Sequence, residues 1–328
     1  MDPSFSTSIS FDGAVQLGHG GVIRAVGEDA AGFLNSQLSN DFARLGLDRG
    51  LLAAYCSPKG RMLASFVALR RKPQETSQEV WLATDAELLA PTLKRLGMFV
   101  LRAKVKLSDA SADLKLVGLT GATAATVSGE AASLLVWGKQ DLGAASLLRL
   151  PDAGLASGPC PRWLWIGPAA EAESLLASQA TLPLAHWQWL EVMSGVAMIN
   201  AATVEQFVPQ MLNYELVGGV DFQKGCYPGQ EIVARSQYRG SIKRRTVLVH
   251  AEAELKPGVE VYWSLDAGQP AGLVAQAAHK PLGGGSALVE IKLAALEAGS
   301  LHLGSPEGPR LTLGHLPYNL PMDTAAEA

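Results

Sequence analysis

The stretch Asp221-Phe222-Gln223-Lys224-Gly225-Cys226-Tyr227-Pro228-Gly229-Gln230-Glu231-Ile232-Val233-Ala234-Arg235 governs the reading of the whole chain. Gly225 and Gly229 accept backbone angles that other residues resist, and Pro228 fixes its own, so Cys226 is expected on a rigid turn. Beyond Gly229, Ile232 and Val233 open a short helix. Its first turn holds Gln230 and Glu231, where the helix dipole favours a negative side chain. A cysteine just ahead of a helix start and two residues from Lys224 has a setting in which thiols gain reactivity. The residue types leave Cys226 four roles: nucleophile, redox-sensing thiol, metal ligand, or small apolar filler of a turn. No histidine in the stretch supplies a general base.

Composition bounds the surroundings. A chain of 328 residues suggests about two domains and buries a large core without disulfides. A net charge of -4 and a pI near 5.9 exclude a broadly basic nucleic-acid binder, though not a local basic patch. Cys56, Cys160 and Cys226 are odd in number and far apart, so no disulfide framework or zinc motif follows. The chain shows neither a signal peptide nor an apolar run of membrane-spanning length, and the cytoplasm is the expected location.

Upstream of the cysteine stretch the pattern is mixed. Phe11 to Ile23 reads as a strand and turn, and Glu28 to Leu38 as a helix with Ala30, Phe33, Leu34 and Leu38 on one face. Leu51 to Ser57 and Met62 to Leu69 read as strands joined by a tight turn at Pro58-Lys59-Gly60-Arg61. Glu79 to Ala83 is a further strand, and Asp85 caps a helix toward Leu96 that Pro91 should start, kink or break. Phe99 to Leu107 alternates most cleanly and is expected as the best strand. Leu114 to Leu119, Ser146 to Leu150 and Trp163 to Ile166 read as strands; Ala169 to Ser178 and Leu184 to Ser194 read as helices.

Downstream, Thr246 to His250, Val259 to Trp263, Leu273 to Ala277, Ala287 to Leu293 and Leu301 to Leu303 are short runs between glycine turns, the mark of a small antiparallel barrel or sandwich. Pro321 to Ala328 reads as an untethered tail. The fold class is therefore α+β. Residues 1–110 form a first unit, 111–240 a second that carries the cysteine loop, and 241–328 a terminal barrel.

Between Gly195 and Arg245 the motifs Asn200-Ala201-Ala202-Thr203, Phe207-Val208-Pro209-Gln210, Gly218-Gly219-Val220, Lys224 to Glu231 and Arg239-Gly240 follow in order. This pattern closely resembles the YgfZ family of folate-binding proteins, which is similar in fold to the aminomethyltransferase (T-protein) of the glycine cleavage system. A weaker resemblance runs from about Leu17 to His315. It implies two α+β units around a central folate cavity, a C-terminal β-barrel, and tetrahydrofolate or a derivative as ligand. It also implies a part in assembly or repair of iron-sulfur clusters in client proteins, including tRNA-modifying enzymes. Cys226 is then the working thiol, with Lys224 and Glu231 beside it and the loop at a junction where pockets form. The alternative is a folate-dependent one-carbon transferase acting on a small molecule, a protein or RNA.

The expected folate contacts are Lys59, Arg61, Gln210, Asn213, Tyr227, Gln230, Arg235 and Arg239. Lys224, Arg235, Arg239, Lys243, Arg244 and Arg245 make the most basic window of the chain, read either as a solvated face or as a site for a folate glutamate tail. RNA phosphates would use the same charges, but Tyr227 and Tyr238 are the only aromatics among them, which weakens an RNA reading. Two departures separate the chain from the transferase. Its turn corresponding to Pro58-Lys59-Gly60-Arg61 carries an aspartate that the reaction needs, and an arginine and a glutamate stand where Glu191 and Met193 stand here. Glycine-cleavage chemistry is not expected. One cysteine cannot hold a cluster alone, since four thiolates are usual.

Overall fold

The hairpin about Gly60 forms as its apolar flanks require. In the computed structural model, which describes residues 9–74, 77–238 and 242–321, the first elements are β1 (Gly13–Gln16), β2 (Gly20–Gly27), α1 (Ala30–Gln37), β3 (Gly50–Cys56), β4 (Met62–Gln74), β5 (Ser77–Asp85), α2 (Ala86–Gly97) and β6 (Lys106–Asp109). Strands β2 to β6 make an antiparallel sheet in the order β3-β4-β5-β2-β6. Every residue of β3 is buried, which explains its unbroken apolar run. Asp85 caps α2, its carboxylate accepting the Glu87 N–H at 2.8 Å. Pro91 lies inside α2 on the exposed side, and the helix runs through it to Gly97.

The clean alternation of Phe99 to Leu107 does not become the expected strand. Only residues from Lys106 onward pair with β2, Lys106 opposite Val26. Upstream, the N–H groups of Phe99, Val100 and Ala103 bond back to the carbonyls of Leu96, Gly97 and Val100, and Leu101 is 90% exposed. Val100, Ala103 and Val105 still pack against the main core, but an alternating pattern also needs a neighbouring strand, and none pairs with residues upstream of Lys106.

The middle of the chain gives β7 (Leu114–Thr120), α3 (Thr123–Val127), β8 (Lys139–Leu142), β9 (Ala145–Leu155), β10 (Gly158–Pro168), α4 (Ala169–Ser178) and α5 (Leu184–Met193). The second sheet runs β1-β7-β10-β9-β8, so β1, inside the span expected to build the first unit, pairs with β7 instead. Residues 195–238 hold two 3-10 turns and α6 (Gln230–Tyr238). This span was expected to go with the second unit, yet Phe207, Leu212, Tyr214, Val220 and Val233 share a core with Phe33, Leu52, Tyr55 and Phe66 of the first.

The chain ends in β11 (Arg244–Ala251), β12 (Glu260–Trp263), β13 (Asp266–His279), β14 (Gly285–Lys292), β15 (Leu301–Leu303) and β16 (Arg310–Leu313), a closed barrel in the order β11-β14-β13-β12-β15-β16. Five of these strands overlap the expected runs. Val247, Val249, Val261, Val274, Val289 and Ile291 fill its separate core. Pro321 ends the described residues, so most of the expected tail lies outside them.

One polar network links the two sheets. Asp141 accepts from Arg71 of β4 at 2.6 Å, from Lys139 at 2.6 Å and from Ser146 at 2.7 Å. The Lys139 side chain is fully buried. Burial pushes the Asp141 carboxyl up, but the bonds from Lys139 and Ser146 and the charges of Lys139 and Arg71 outweigh it and hold it low. Lys139 is also lowered, chiefly by its own burial against the pull of Asp141.

Candidate functional site

A cavity of about 450 Å³ opens where the first sheet, the second sheet, α5 and the barrel meet. Val67, Leu116, Leu150 and Leu164 give it apolar walls, and Gln276 to His279 close it from the barrel. Helix α5 supplies its polar edge. Trp187 is completely buried against Gly118, where an added Cβ would lie 2.5 Å from the indole, so this helix can approach β7 only over a glycine. One turn later Glu191 reaches the cavity. Its Oε1 accepts the Trp187 indole N–H at 2.8 Å, and its Oε2 lies 3.6 Å from His19 Nε2.

That pairing holds the His19 imidazole above its ordinary range. The hydrogen bond to Glu191 is the largest cause, burial opposes it, and the charges of Glu191 and Asp85 add to it. The other ring nitrogen, Nδ1, is buried with no partner among the described residues. Below lies Arg162, 3% exposed, with its guanidinium 5.2 Å from the Trp187 ring centroid and its Nε and Nη2 donating to the Pro151 carbonyl at 3.2 and 3.1 Å. Burial pushes it down to about 10, against the charge of Glu191. A carboxylate, an imidazole and a guanidinium thus meet at one end of an apolar chamber. The resemblance pairs Glu191 with an arginine of the transferases, so a position-by-position match passes over it. The signal available was a glutamate four residues after a tryptophan on a helix with an apolar face.

The cysteine loop lies elsewhere. No residue of 221–235 lines the cavity; the loop sits on the first unit, between the end of α1 and the β3–β4 turn. Gly229, with φ +81°, rests against the Ser57 carbonyl and Gly60, and a Cβ there would collide with both. Lys224 is the clamp. Its ammonium donates to the carbonyls of Asn35 and, at 2.7 Å, Leu38, and lies 4.7 Å from the Tyr227 ring centroid. A cation at a helix C-terminus is favoured by the dipole, and the unpaired carbonyls of α1 gain donors. Burial pushes Lys224 down to about 8, with the charges of Asp41, Asp221 and Cys226 opposing. The lysine expected to serve the thiol therefore points into the protein and anchors the loop. Cys226 is exposed, Cys160 half-buried, and Cys56 buried with its thiol pushed up to about 12 by desolvation. Glu231 faces solvent and pairs with Arg235 at 3.0 Å along α6.

None of Lys59, Arg61, Gln210, Asn213, Tyr227, Gln230 and Arg235 lines the cavity, and Arg239 lies outside the described residues. Lys59 is exposed at the tip of its turn, and Arg61 donates to the Gln206 carbonyl. Buried Gln210 donates to the Val233 carbonyl at 2.7 Å and so holds α6. Asn213, left-handed at φ 59°, donates to the Thr246 carbonyl at 2.9 Å and accepts from Arg245 at 3.2 Å. Tyr227 is buried beneath the Lys224 ammonium, and Gln230 opens α6. Part of the basic window is internal: Arg245 pairs with buried Glu215 at 2.7 Å, and Arg244 Nη2 with Glu290 at 2.9 Å. Among the described residues no group of three or more His, Cys, Asp and Glu side chains is placed to hold a metal ion. No described helix is long and apolar enough to cross a membrane.

No protein-family model matches the chain. The fold is that of the glycine cleavage system aminomethyltransferase T from Bartonella henselae, with a TM-score of 0.72 at 16% identity over 93% of this chain and 85% of that one. The tRNA-modifying protein YgfZ of Edwardsiella ictaluri is 32% identical over 318 residues, covering 90% of this chain and 89% of its own. The tRNA-modifying protein YgfZ of Photobacterium profundum is 31% identical over 255 residues, covering 74% and 71%. The chain belongs to the YgfZ family.

Proposed function

We propose that the chain binds a reduced folate in the central cavity and, through the Cys226 thiol, supports assembly or repair of iron-sulfur clusters in client enzymes that modify tRNA. The observation that carries the folate reading is the cavity with Glu191 at its edge. A chamber of about 450 Å³ is of the size that takes a drug-sized ligand. The pyrimidine edge of a pterin offers adjacent N–H donors, and a carboxylate held by Trp187 and His19 accepts them without first having to be ordered. Apolar Val67, Leu116 and Leu164 suit the faces of the pterin. Bound folate would supply one-carbon chemistry at its N5 and N10 nitrogens. The residues here bind it, orient it and exclude water.

Cys226 takes the client-facing part. Its thiol is on the surface, on a loop fixed by Lys224 and Gly229, where another protein can reach it. The relatives' name, tRNA-modifying protein, supports a link between this chain and tRNA modification. A one-carbon transferase is the second reading, favoured by the His19–Glu191 pair, which can hold or release a proton inside the cavity. Two experiments test these readings. Tetrahydrofolate at a hundredfold excess over its dissociation constant should stabilise the chain by about 2.7 kcal/mol, and no shift at millimolar ligand removes the folate site. In cells lacking the native protein, Cys226→Ser should keep the fold and folate binding but fail to restore a cluster-dependent tRNA modification. Full rescue ends the thiol reading, and folate turnover by the purified chain favours the transferase.

A further inference from the structure

The loop between α3 and β8 contains a backbone feature that the folate reading leaves unexplained. Trp137 has φ 66°, in the left-handed region that bulky side chains rarely enter. Such a conformation costs roughly 1–3 kcal/mol and persists only where surrounding structure enforces it. Here it is enforced from both sheets. The Trp137 N–H donates to the Arg149 carbonyl of β9 at 2.8 Å, and its carbonyl accepts from Gly50 of β3 at 2.8 Å. A glycine stands at the next position, yet that residue is not the one with positive φ; Gly138 is needed instead because a Cβ there would meet the Leu135 carbonyl at 2.8 Å. The strained angle therefore falls on the largest side chain available, although glycine would adopt it without strain.

That side chain lines the central cavity. It is half-buried and packs against both sheet cores without being enclosed by either. Among the described residues its indole N–H has no protein acceptor, as is also true of Trp165 away from the cavity, whereas Trp81, Trp163, Trp187, Trp189 and Trp263 each donate to one. Trp187, the other indole at the cavity, is completely buried and already covered by Arg162. Trp137 is thus the one with surface left for a ligand.

We propose that Trp137 is the stacking platform for the planar pyrimidinone ring of the bound folate's pterin head and sets the preference of the cavity for a pterin. This inference rests on the folate reading. Ring stacking on an aromatic side chain is a recurrent source of affinity that needs no hydrogen bond to the platform. The test uses the full chain, with tetrahydrofolate by calorimetry and p-aminobenzoylglutamate, which lacks the pterin, by ligand-observed NMR at millimolar concentration. Trp137→Leu should weaken tetrahydrofolate binding by roughly tenfold or more while leaving the pterin-less fragment nearly unchanged, and Trp137→Tyr should retain most of the affinity. Equal losses for both ligands would mean that the residue only shapes the cavity, and an unchanged tetrahydrofolate affinity in a folded Trp137→Leu variant would likewise overturn the proposal. Failure of the unmodified chain to bind tetrahydrofolate would overturn the folate reading and this inference together.

Discussion

Asp141→Asn tests whether the polar hub between the sheets holds the two halves of the cavity together. The substitution keeps size and shape but removes the counter-charge of Lys139, whose side chain is fully buried. Removing one partner of a buried ion pair typically costs about 3–5 kcal/mol, because the other charge is left uncompensated. Asp141 itself is partly solvent-facing, at 29% side-chain exposure, so water screens part of that loss and about 2–3 kcal/mol is expected. The readout is urea unfolding at pH 7, together with Lys139→Met and the double variant. Because the double variant no longer strands the fully buried Lys139 and leaves only Arg71 without its carboxylate, its cost should fall short of the sum of the singles by at least about 0.5 kcal/mol. The pH dependence has a definite sign. A carboxyl held below its unfolded value adds stability above that value and loses it as pH falls through the depressed native one, so the gap between wild type and Asp141→Asn should close in acid. A single-variant cost under about 1 kcal/mol, or strict additivity in the cycle, would refute this account of the seam.

Three further outcomes are expected. Iodoacetamide should label Cys226 first and Cys56 only on unfolding, since Cys56 is buried with its thiol pushed up to about 12; peptide mapping over time checks the order. Gly229→Ala should cost about 2 kcal/mol or more in thermal unfolding, because φ +81° disfavours alanine and its Cβ would strike the Ser57 carbonyl and Gly60. Glu191→Gln should weaken tetrahydrofolate binding by roughly tenfold, as a charge-assisted acceptor is lost, and should return His19 toward its ordinary titration by NMR. The raised His19 adds stability below its unfolded value and loses it as pH rises through the native one, a dependence the variant should lack.

The parts of the fold legible in the sequence are those where local pattern and tertiary setting agree. Ala169–Ser178 and Leu301–Leu303 keep their expected bounds, and Asp85 caps the helix it was expected to cap. Where pairing is non-local, pattern fails. Residues Gly13–Gln16 join a sheet whose other strands begin about a hundred residues later, and Phe99 to Val105 alternates with no strand to meet. β16 has only Leu311 of its four residues buried, so little core pattern marks it as a strand.

The candidate site divides in the same way, and the division has a functional consequence. The cysteine motif is legible because backbone demands fall on adjacent residues: Gly229 must pass Ser57 and Gly60, Lys224 must reach the end of α1, and Gln210 must hold α6. Motif residues of this kind mark how a loop is built, and they say little about what it binds. The cavity draws His19, Trp137, Arg162 and Glu191 from four separate segments, so no window of sequence contains it. Their convergence depends on the two sheets closing against each other through Arg71, Asp141 and Lys139 and on α5 bridging to the barrel. The strongest motif in the chain and its central cavity are therefore separate features. A mutation that silences Cys226 should leave the cavity intact, while one that opens the seam should disturb the cavity without touching the thiol.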